Sequence, residues 1–247
     1  MVNYDPKEFT IECYIELLKR AVNKFRFLEY SEWDKCNNEN VVFWRHDIDF
    51  SLEKAVEMAK IEHENCIKAT YFLLLHSNYY NLFDRNSLGL VREILSYGHS
   101  IGLHFDCNYY KIQSILELID WLTFEKNILQ KLFNYSIEVF SFHNPSSLTM
   151  AFSENTYAGM INTYSKHFKT KVNYCSDSNG FWRFRSLDDV LNDDSINQLQ
   201  VLTHPVWWTT ELYMPREKII NLIEMSKKNA IAQYDHALLT TNRQNIS

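Results

Sequence analysis

Two kinds of hydrophobic pattern alternate along this chain. Short, continuously apolar runs are typical of buried strands, and they occur at 41–44, 69–75, 100–103, 137–142, 172–175 and 199–203. Between them, apolar residues recur at helical spacing over 6–27, 51–65, 86–97, 111–132 and 215–230. Ser51 is placed to cap the second helix and Gly98 to end the third. Strands that are apolar throughout, separated by helices, predict an α/β fold with a parallel sheet covered on both faces.

The chain of 247 residues is predicted to form a single domain, residues 1–247, because it contains no linker, repeat or low-complexity segment. The N-terminal helix within residues 1–30 is expected to pack on this domain. Residues from about 236 to 247 are expected to form a frayed tail. With five glycines and no glycine-rich motif, the chain does not resemble a phosphate-binding loop protein.

Composition narrows the possible partners and the compartment. The net charge is −6 and the basic residues are scattered, which disfavours nucleic acid. No apolar run is long enough for a membrane span, and no secretory signal precedes the first helix. The cysteines are odd in number and widely spaced, which indicates free thiols in a reducing compartment: Cys13, Cys36, Cys66, Cys107 and Cys175. We therefore expect a cytoplasmic protein; its oligomeric state is not indicated.

Titratable residues cluster at the ends of the predicted strands. Five of nine histidines and four aspartates share this placement: His46, His76, His104, His143, His204, Asp47, Asp49, Asp106 and Asp177. In parallel α/β folds the carboxyl ends of the strands converge on one face, where active sites form. The sequence therefore predicts one cleft built from residues spread over 160 positions.

Each group also has a simpler interpretation. In HDID (46–49), one carboxylate suits a divalent ion and the other a general base, but the pair could instead favour the dipole of the next helix. A lone His104 could be a hydrogen-bonded core histidine, and His99, before its strand, is assigned to the core. In THPVWW (203–208), the histidine could protonate a leaving group, and the aromatic residues could stack on a sugar or pack in the core.

Taken together, these stretches resemble the polysaccharide deacetylases of carbohydrate esterase family 4. The resemblance implies that WRHDIDF (44–50) carries the catalytic base Asp47 and the metal ligand Asp49. It likewise implies that GHSIGLH (98–104) ends in a ligand, His104, and that LTH (202–204) ends in the general acid, His204. FHNPS (142–146) is similar to the family's cleft-wall motif, and SDSNGFW (176–182) to its aspartate loop with Asp177.

The motifs run in order from about residue 41 to 208 and look most similar to a divergent subfamily encoded with bacterial surface-glycan biosynthesis. For the fold, the resemblance implies an incomplete (β/α)7 barrel. For the reaction, it implies hydrolysis of an N-acetyl, O-acetyl or similar acyl group on a cytoplasmic sugar intermediate, with a divalent ion, zinc by preference. Asp177 would orient His204 or its neighbour. The residues expected to contact the sugar are Arg45, Asn144, Trp182, Trp207 and Trp208.

Two positions depart from the family pattern. The second ligand histidine is replaced by Asn108, and an arginine before the cleft-wall proline by Asn144. Arg45 could take over the tether of the base. The third metal ligand is predicted to be His143, with Asp106 in reserve and Asn108 as a weak ligand.

Two other functions remain open on the sequence. One is a non-catalytic carbohydrate-binding or scaffold protein that has lost the metal. The departures from the family pattern at Asn108 and Asn144 suggest this alternative. A phosphoesterase on the same barrel face is disfavoured because few basic residues other than Arg45 lie near the predicted site.

Overall fold

The six apolar runs form strands of a nine-stranded sheet in the computed structural model, which describes residues 4–35 and 39–246; the other three strands, each of two or three residues, were not predicted. The strands are β1 Arg26–Phe27, β2 Val41–Ile48, β3 Thr70–Leu74, β4 Ser100–Phe105, β5 Val139–Phe142, β6 Thr156–Tyr157, β7 Met160–Asn162, β8 Asn173–Ser176 and β9 Gln198–Thr203.

Seven of these strands lie side by side and parallel, in the order β7-β5-β4-β3-β2-β9-β8. β6 pairs antiparallel with β7, and β1 pairs with the start of β2. Among the described strands β8 and β6 lie at opposite ends of the sheet, so the curled sheet stays open. The predicted incomplete (β/α)7 barrel is confirmed.

The helices follow the strands along the chain. They are α1 Ile11–Lys24, α2 Leu52–Glu64, α3 Arg85–Ser96, α4 Cys107–Tyr110, α5 Ile115–Phe133, α6 Ser147–Ala151, α7 Lys166–Lys171, α8 Leu187–Leu191 and α9 Pro215–Thr240. The Ser51 side chain accepts a hydrogen bond from the Lys54 amide and so caps α2. Gly98 follows α3 with φ +87°, which a glycine adopts without strain. No helix in the described part of the chain has the length and hydropathy of a bilayer-crossing segment.

Several element boundaries differ from the sequence prediction. The helix expected over 6–27 is interrupted at Thr10, whose hydroxyl caps α1, and it ends before β1. The helix expected over 111–132 begins later, at Ile115, because Lys111 adopts the left-handed conformation and ends the short, unpredicted helix α4 that precedes it. The last helix continues to Thr240, so residues 236–240 of the expected tail are helical. Cys36, residue 247 and residues 1–3 lie outside the described residues.

Apolar side chains pack on both sides of the curled sheet. The larger cluster lies between the sheet and the helices and includes the buried face of α1. The smaller one fills the bottom of the barrel interior, with contributions from β2, β3 and β5: Val41, Phe43, Phe72 and Val139. Because side chains alternate along a strand, Arg45 and Asp47 of β2 follow Val41 and Phe43 into the interior. The top of the barrel interior is therefore polar above an apolar floor.

Candidate metal and active site

A cavity of about 570 Å³ opens at the carboxyl ends of the strands. β2 and the turn after it contribute Asp47 and Asp49, β4 contributes His104, and the residues after β5 and β9 contribute His143 and His204. These five side chains come from four different strand ends. The structure brings them to one cavity, as parallel strand topology requires.

Three of these side chains aim their ligand atoms at one point. Asp49 Oδ1 lies 3.1 Å from His104 Nε2 and 3.3 Å from His143 Nδ1, and the two ring nitrogens are 3.1 Å apart. Four-coordinate zinc with bonds of 2.0–2.1 Å places its ligand atoms about 3.3 Å from one another. The triangle therefore has the size of one face of such a coordination tetrahedron.

The chemistry of the triangle also fits a divalent ion. Asp49 Oδ1 is buried and makes no hydrogen bond of acceptable geometry to any described residue, in spite of the two nearby nitrogens. Burial disfavours the charged carboxylate, but His104 and His143 outweigh it and hold the pKa of Asp49 well below its ordinary value. Two imidazoles and an ionised carboxylate form a donor set that proteins use for catalytic zinc.

Neighbouring side chains fix the orientation of both imidazoles. His104 Nδ1 lies 2.6 Å from Ser141 Oγ, so the ring can donate there and leave Nε2 free as a ligand. Ser141 in turn lies 3.4 Å from Asp47 Oδ1. On the exposed side, the Asn144 amide is 2.8 Å from His143 Nε2. Each ring is thus held by the nitrogen that does not face Asp49.

Asp47 lies beside the triangle without belonging to it. Its Oδ2 is 3.7 Å from His104 Nε2 and 3.5 Å from the guanidinium of Arg45. Arg45 is completely buried and also donates to the Thr163 and Tyr164 hydroxyls at 2.6 and 3.0 Å. These bonds fix the guanidinium, which then positions the carboxylate of Asp47.

His204 faces the triangle from β9. Its Nε2 lies 3.8 Å from Asp49 Oδ2, and its Nδ1 donates to Asp177 Oδ1 at 2.6 Å. Burial disfavours the imidazolium, but the Asp177 carboxylate outweighs it and raises the pKa of His204 to about 9. Asp177 also accepts from the His204 amide and from Trp208 Nε1, all at 3.0 Å. His204 is thereby held with one tautomer and one orientation.

The two reserve ligands lie apart from this group. Asp106 accepts hydrogen bonds from the amides of Asn108 and Tyr109 and caps α4. Asn108 is exposed on α4 and does not line the cavity. The metal-sized cluster in the described chain consists of Asp49, His104 and His143.

The three tryptophans that sequence analysis assigned to substrate binding are not brought to the cavity. Trp208 is buried with its indole nitrogen on Asp177, and Trp182 packs against Phe9. Trp207 is buried against Phe50. Of the three, Trp208 acts on the site indirectly, because its indole nitrogen donates to the Asp177 carboxylate that holds His204.

Three other histidines belong to other parts of the fold. His46 points out of the barrel, 2.6 Å from Glu62 Oε1 and 2.7 Å from the Thr203 hydroxyl. His76 lies 2.9 Å from Glu125, away from the cavity lining. His99 Nε2 lies 2.8 Å from the Ala59 carbonyl, which makes it a core histidine.

Sequence analysis missed several residues of the cavity. Its wall carries the aromatic rings of Tyr164, Tyr174 and Phe184 and the basic side chains of Lys169 and Arg183. Arg183 and Phe184 follow the aspartate loop. The sequence there has neither strand nor helix periodicity, so it did not predict which side chains face the cavity. Lys169 lies on the short helix α7. The cavity is therefore more basic than the sequence predicted.

Comparisons with known proteins find similarity in fold. No family model matches this chain, and no curated protein does. Among solved structures, the deacetylase PplD of Streptococcus pyogenes, in complex with acetate, has a TM-score of 0.47 and 17% identity, and the match covers 76% of this chain and 85% of that one.

Two further solved structures are similar in fold. The chitin deacetylase of the fungal pathogen Colletotrichum lindemuthianum has a TM-score of 0.44 and 15% identity, over 77% of this chain and 84% of that chain. BA3943 of Bacillus anthracis, a CE4 family pseudoenzyme, has a TM-score of 0.43 and 15% identity, over 78% of this chain. The chain spans 62% of the length of BA3943.

Proposed function

We propose that this protein is a metal-dependent hydrolase that removes an acyl group, with N-acetyl as the first candidate, from a sugar or glycan intermediate. One observation carries the proposal. The ligand atoms of Asp49, His104 and His143 converge at metal-site distances, with Asp47 Oδ2 3.7 Å from His104 Nε2 and His204 Nε2 3.8 Å from Asp49 Oδ2. A metal ligand triangle with a separate carboxylate and a separate imidazole matches what hydrolysis of an amide requires.

Each residue has a distinct role in this proposal. A divalent ion held by Asp49, His104 and His143 would polarise the acyl carbonyl and lower the pKa of a water molecule. Asp47 accepts the proton of the attacking water, and the guanidinium of Arg45 keeps its carboxylate in place during that transfer.

His204 donates the proton that the departing amine needs. With a pKa of about 9, its imidazolium is populated at neutral pH and carries the proton on Nε2, which faces the cavity. Asp177 stabilises this charge and fixes the ring, since it accepts from Nδ1. Asp47 and His204 thus supply the base and the acid, each from beside a different ligand of the triangle.

The cavity suits a sugar bearing a charged or polar group. Its volume of about 570 Å³ lies within the range of small-ligand sites, and its walls combine aromatic and polar side chains. We place the substrate among the nucleotide-linked or lipid-linked sugars of cytoplasmic glycan biosynthesis, in line with the subfamily that the sequence motifs resemble. Lys169 and Arg183 are available to contact an anionic part of such a molecule.

The first test measures metal content. The purified protein should contain about one equivalent of zinc or another divalent metal. His104→Ala and His143→Ala should each lose it, while the matched control Asp106→Ala should retain it. A wild-type protein that stays metal-free after dialysis against zinc would overturn the proposal, and the protein would then be studied as a non-catalytic carbohydrate binder.

The second test measures turnover. With N-acetylated sugars or an aryl acetate as substrate, Asp47→Asn should reduce kcat by about 10²-fold or more and change KM little, because a general base acts in the transition state. Hydrolysis of an aryl phosphate in preference to the acetate would contradict the assignment.

A further inference from the structure

The outward face of α9 carries an apolar stripe. Ile220, Ile223, Ile231 and Tyr234 are 48%, 48%, 53% and 57% exposed, respectively. At 100° per residue these four positions lie within about 80° of one another, on a single face of the helix. Lys227 lies on the same face between Ile223 and Ile231, so the stripe consists of two exposed apolar patches separated by a basic residue.

The opposite face of α9 lies over the domain, and it is more polar. Residues at the same helical spacing border the crevice between α9 and α2: Lys218, Leu222, Met225 and Asn229. A helix on the surface of a globular protein normally buries its apolar stripe and exposes its polar face. In the described chain Lys218 is the single buried residue of α9, so the C-terminal half of the helix has little packing of its own.

We propose that α9 pairs antiparallel with α9 of a second copy of this chain, with the two helices crossing at Ile231. In an antiparallel pair centred on Ile231, residues equally far before and after it face each other across the two-fold axis. Lys227, four residues before, then faces the partner's Asp235, four residues after. By symmetry this ion pair forms twice.

The same register matches the remaining exposed side chains. Ile223, eight residues before the centre, faces the partner's Leu239, eight residues after, and Leu239 is 79% exposed. The partner's Tyr234 lies on the same edge of the pair as Lys227 and at nearly the same level, a favourable cation–aromatic arrangement. The self-complementary order of apolar and charged residues identifies a second copy as the partner.

The charged residues on α9 do not have strong partners within the chain. Lys227 contacts Glu224 at 3.4 Å, and both side chains are more than half exposed. Asp235 Oδ1 accepts a hydrogen bond from Asn245, which leaves its second oxygen available. In a parallel pair, Lys227 of one copy would lie beside Lys227 of the other, so two like charges would be adjacent. The mixed charge around the stripe also disfavours an anionic membrane surface.

Sedimentation velocity of the full chain tests the interface. The wild type should form a dimer as its concentration is raised to about 0.1 mM, and Ile231→Glu should remain a monomer over the same range. Asn229→Glu, on the face toward the domain, is the matched control and should remain a dimer. A wild type that is monomeric throughout this range overturns the proposal, whether or not it binds vesicles of phosphatidylcholine and phosphatidylglycerol.

A charge exchange tests the register. Lys227→Glu and Asp235→Lys should each weaken dimerisation about tenfold, because two ion pairs become two repulsive contacts. The double variant should restore it. Ile231→Cys should form a disulfide-linked dimer under mild oxidation, and Asn229→Cys should not. If the double variant is weaker than either single variant, antiparallel pairing centred on Ile231 is refuted.

Discussion

Replacing Glu62 by glutamine should destabilise the fold measurably. Glu62 is completely buried on α2, where its carboxylate accepts hydrogen bonds from the hydroxyls of Tyr14 and Tyr71 and lies 2.6 Å from His46. In Glu62→Gln, one carboxylate oxygen is replaced by an NH₂ group, which cannot accept the hydrogen bond of the donor that faces it. The negative charge that faces His46 also disappears. Leaving buried donors without their charged acceptor costs about 3 kcal/mol, the upper end of the range for a buried donor that is left unsatisfied.

The predicted loss is large enough for routine measurement. For a chain of this length, 3 kcal/mol corresponds to a decrease in Tm of about 10 °C. Urea unfolding at pH 7 should show the lower free energy of unfolding directly. Glu57→Gln, which changes an exposed residue on the same helix, is the control and should lose less than about 0.5 kcal/mol.

The pH dependence gives the loss a definite sign. Burial alone would raise the pKa of Glu62, but His46 and Tyr14 lower it below its ordinary value of 4.5. A depressed carboxyl pKa contributes stability that is present above 4.5 and is lost as the pH falls through the folded-state value. The difference between wild type and Glu62→Gln should therefore be constant near neutrality and become smaller in acid. A difference below about 1 kcal/mol at pH 7, or one that is the same at about pH 3.5, would refute this reasoning.

Three further predictions concern the site and the barrel wall. Asp177→Asn should lower the pKa of His204 from about 9 toward its ordinary value, since the carboxylate that raises it most is removed while burial remains; NMR titration of the imidazole of metal-free protein measures it. Arg183→Gln should raise KM for an anionic sugar more than for a neutral one and leave kcat unchanged, as steady-state kinetics would show. Gly102→Ala should lose about 1–3 kcal/mol by urea unfolding, because its Cβ would meet a buried phenyl carbon at 2.6 Å, whereas Gly89→Ala has open space and should not be destabilised.

The fold could be predicted because its signal is local and repeated. Six strands are short apolar runs and five helices have a regular apolar spacing, so the order of these elements and the parallel sheet follow from sequence. The short strands β1, β6 and β7 and the short helices α4, α6, α7 and α8 were not predicted. The boundaries were less accurate where one residue decides them, as at Thr10, whose hydroxyl starts α1, and at Lys111, which adopts a left-handed conformation.

The candidate site could be located from the sequence but not fully described. Strand ends converge in any parallel barrel, so His104, His143 and His204 were expected together. Whether a side chain faces the interior depends on the true end of the strand. β2 continues to Ile48, four residues beyond its apolar run, and alternation therefore turns His46 outward. The cavity wall at 183–184 depends on a loop conformation that no short pattern encodes.

Consecutive side chains of β2 point to opposite faces of the sheet and make different essential contacts there. Insertions and deletions in this strand are therefore harder to tolerate than substitutions. Asp47 faces the barrel interior beside the metal triangle, while His46 binds Glu62 on the helix side. A single-codon deletion or insertion upstream in β2 would exchange the two faces, so that an imidazole would enter the interior and a carboxylate would face Glu62. We expect natural variants of this stretch to differ by substitution and to keep its length constant.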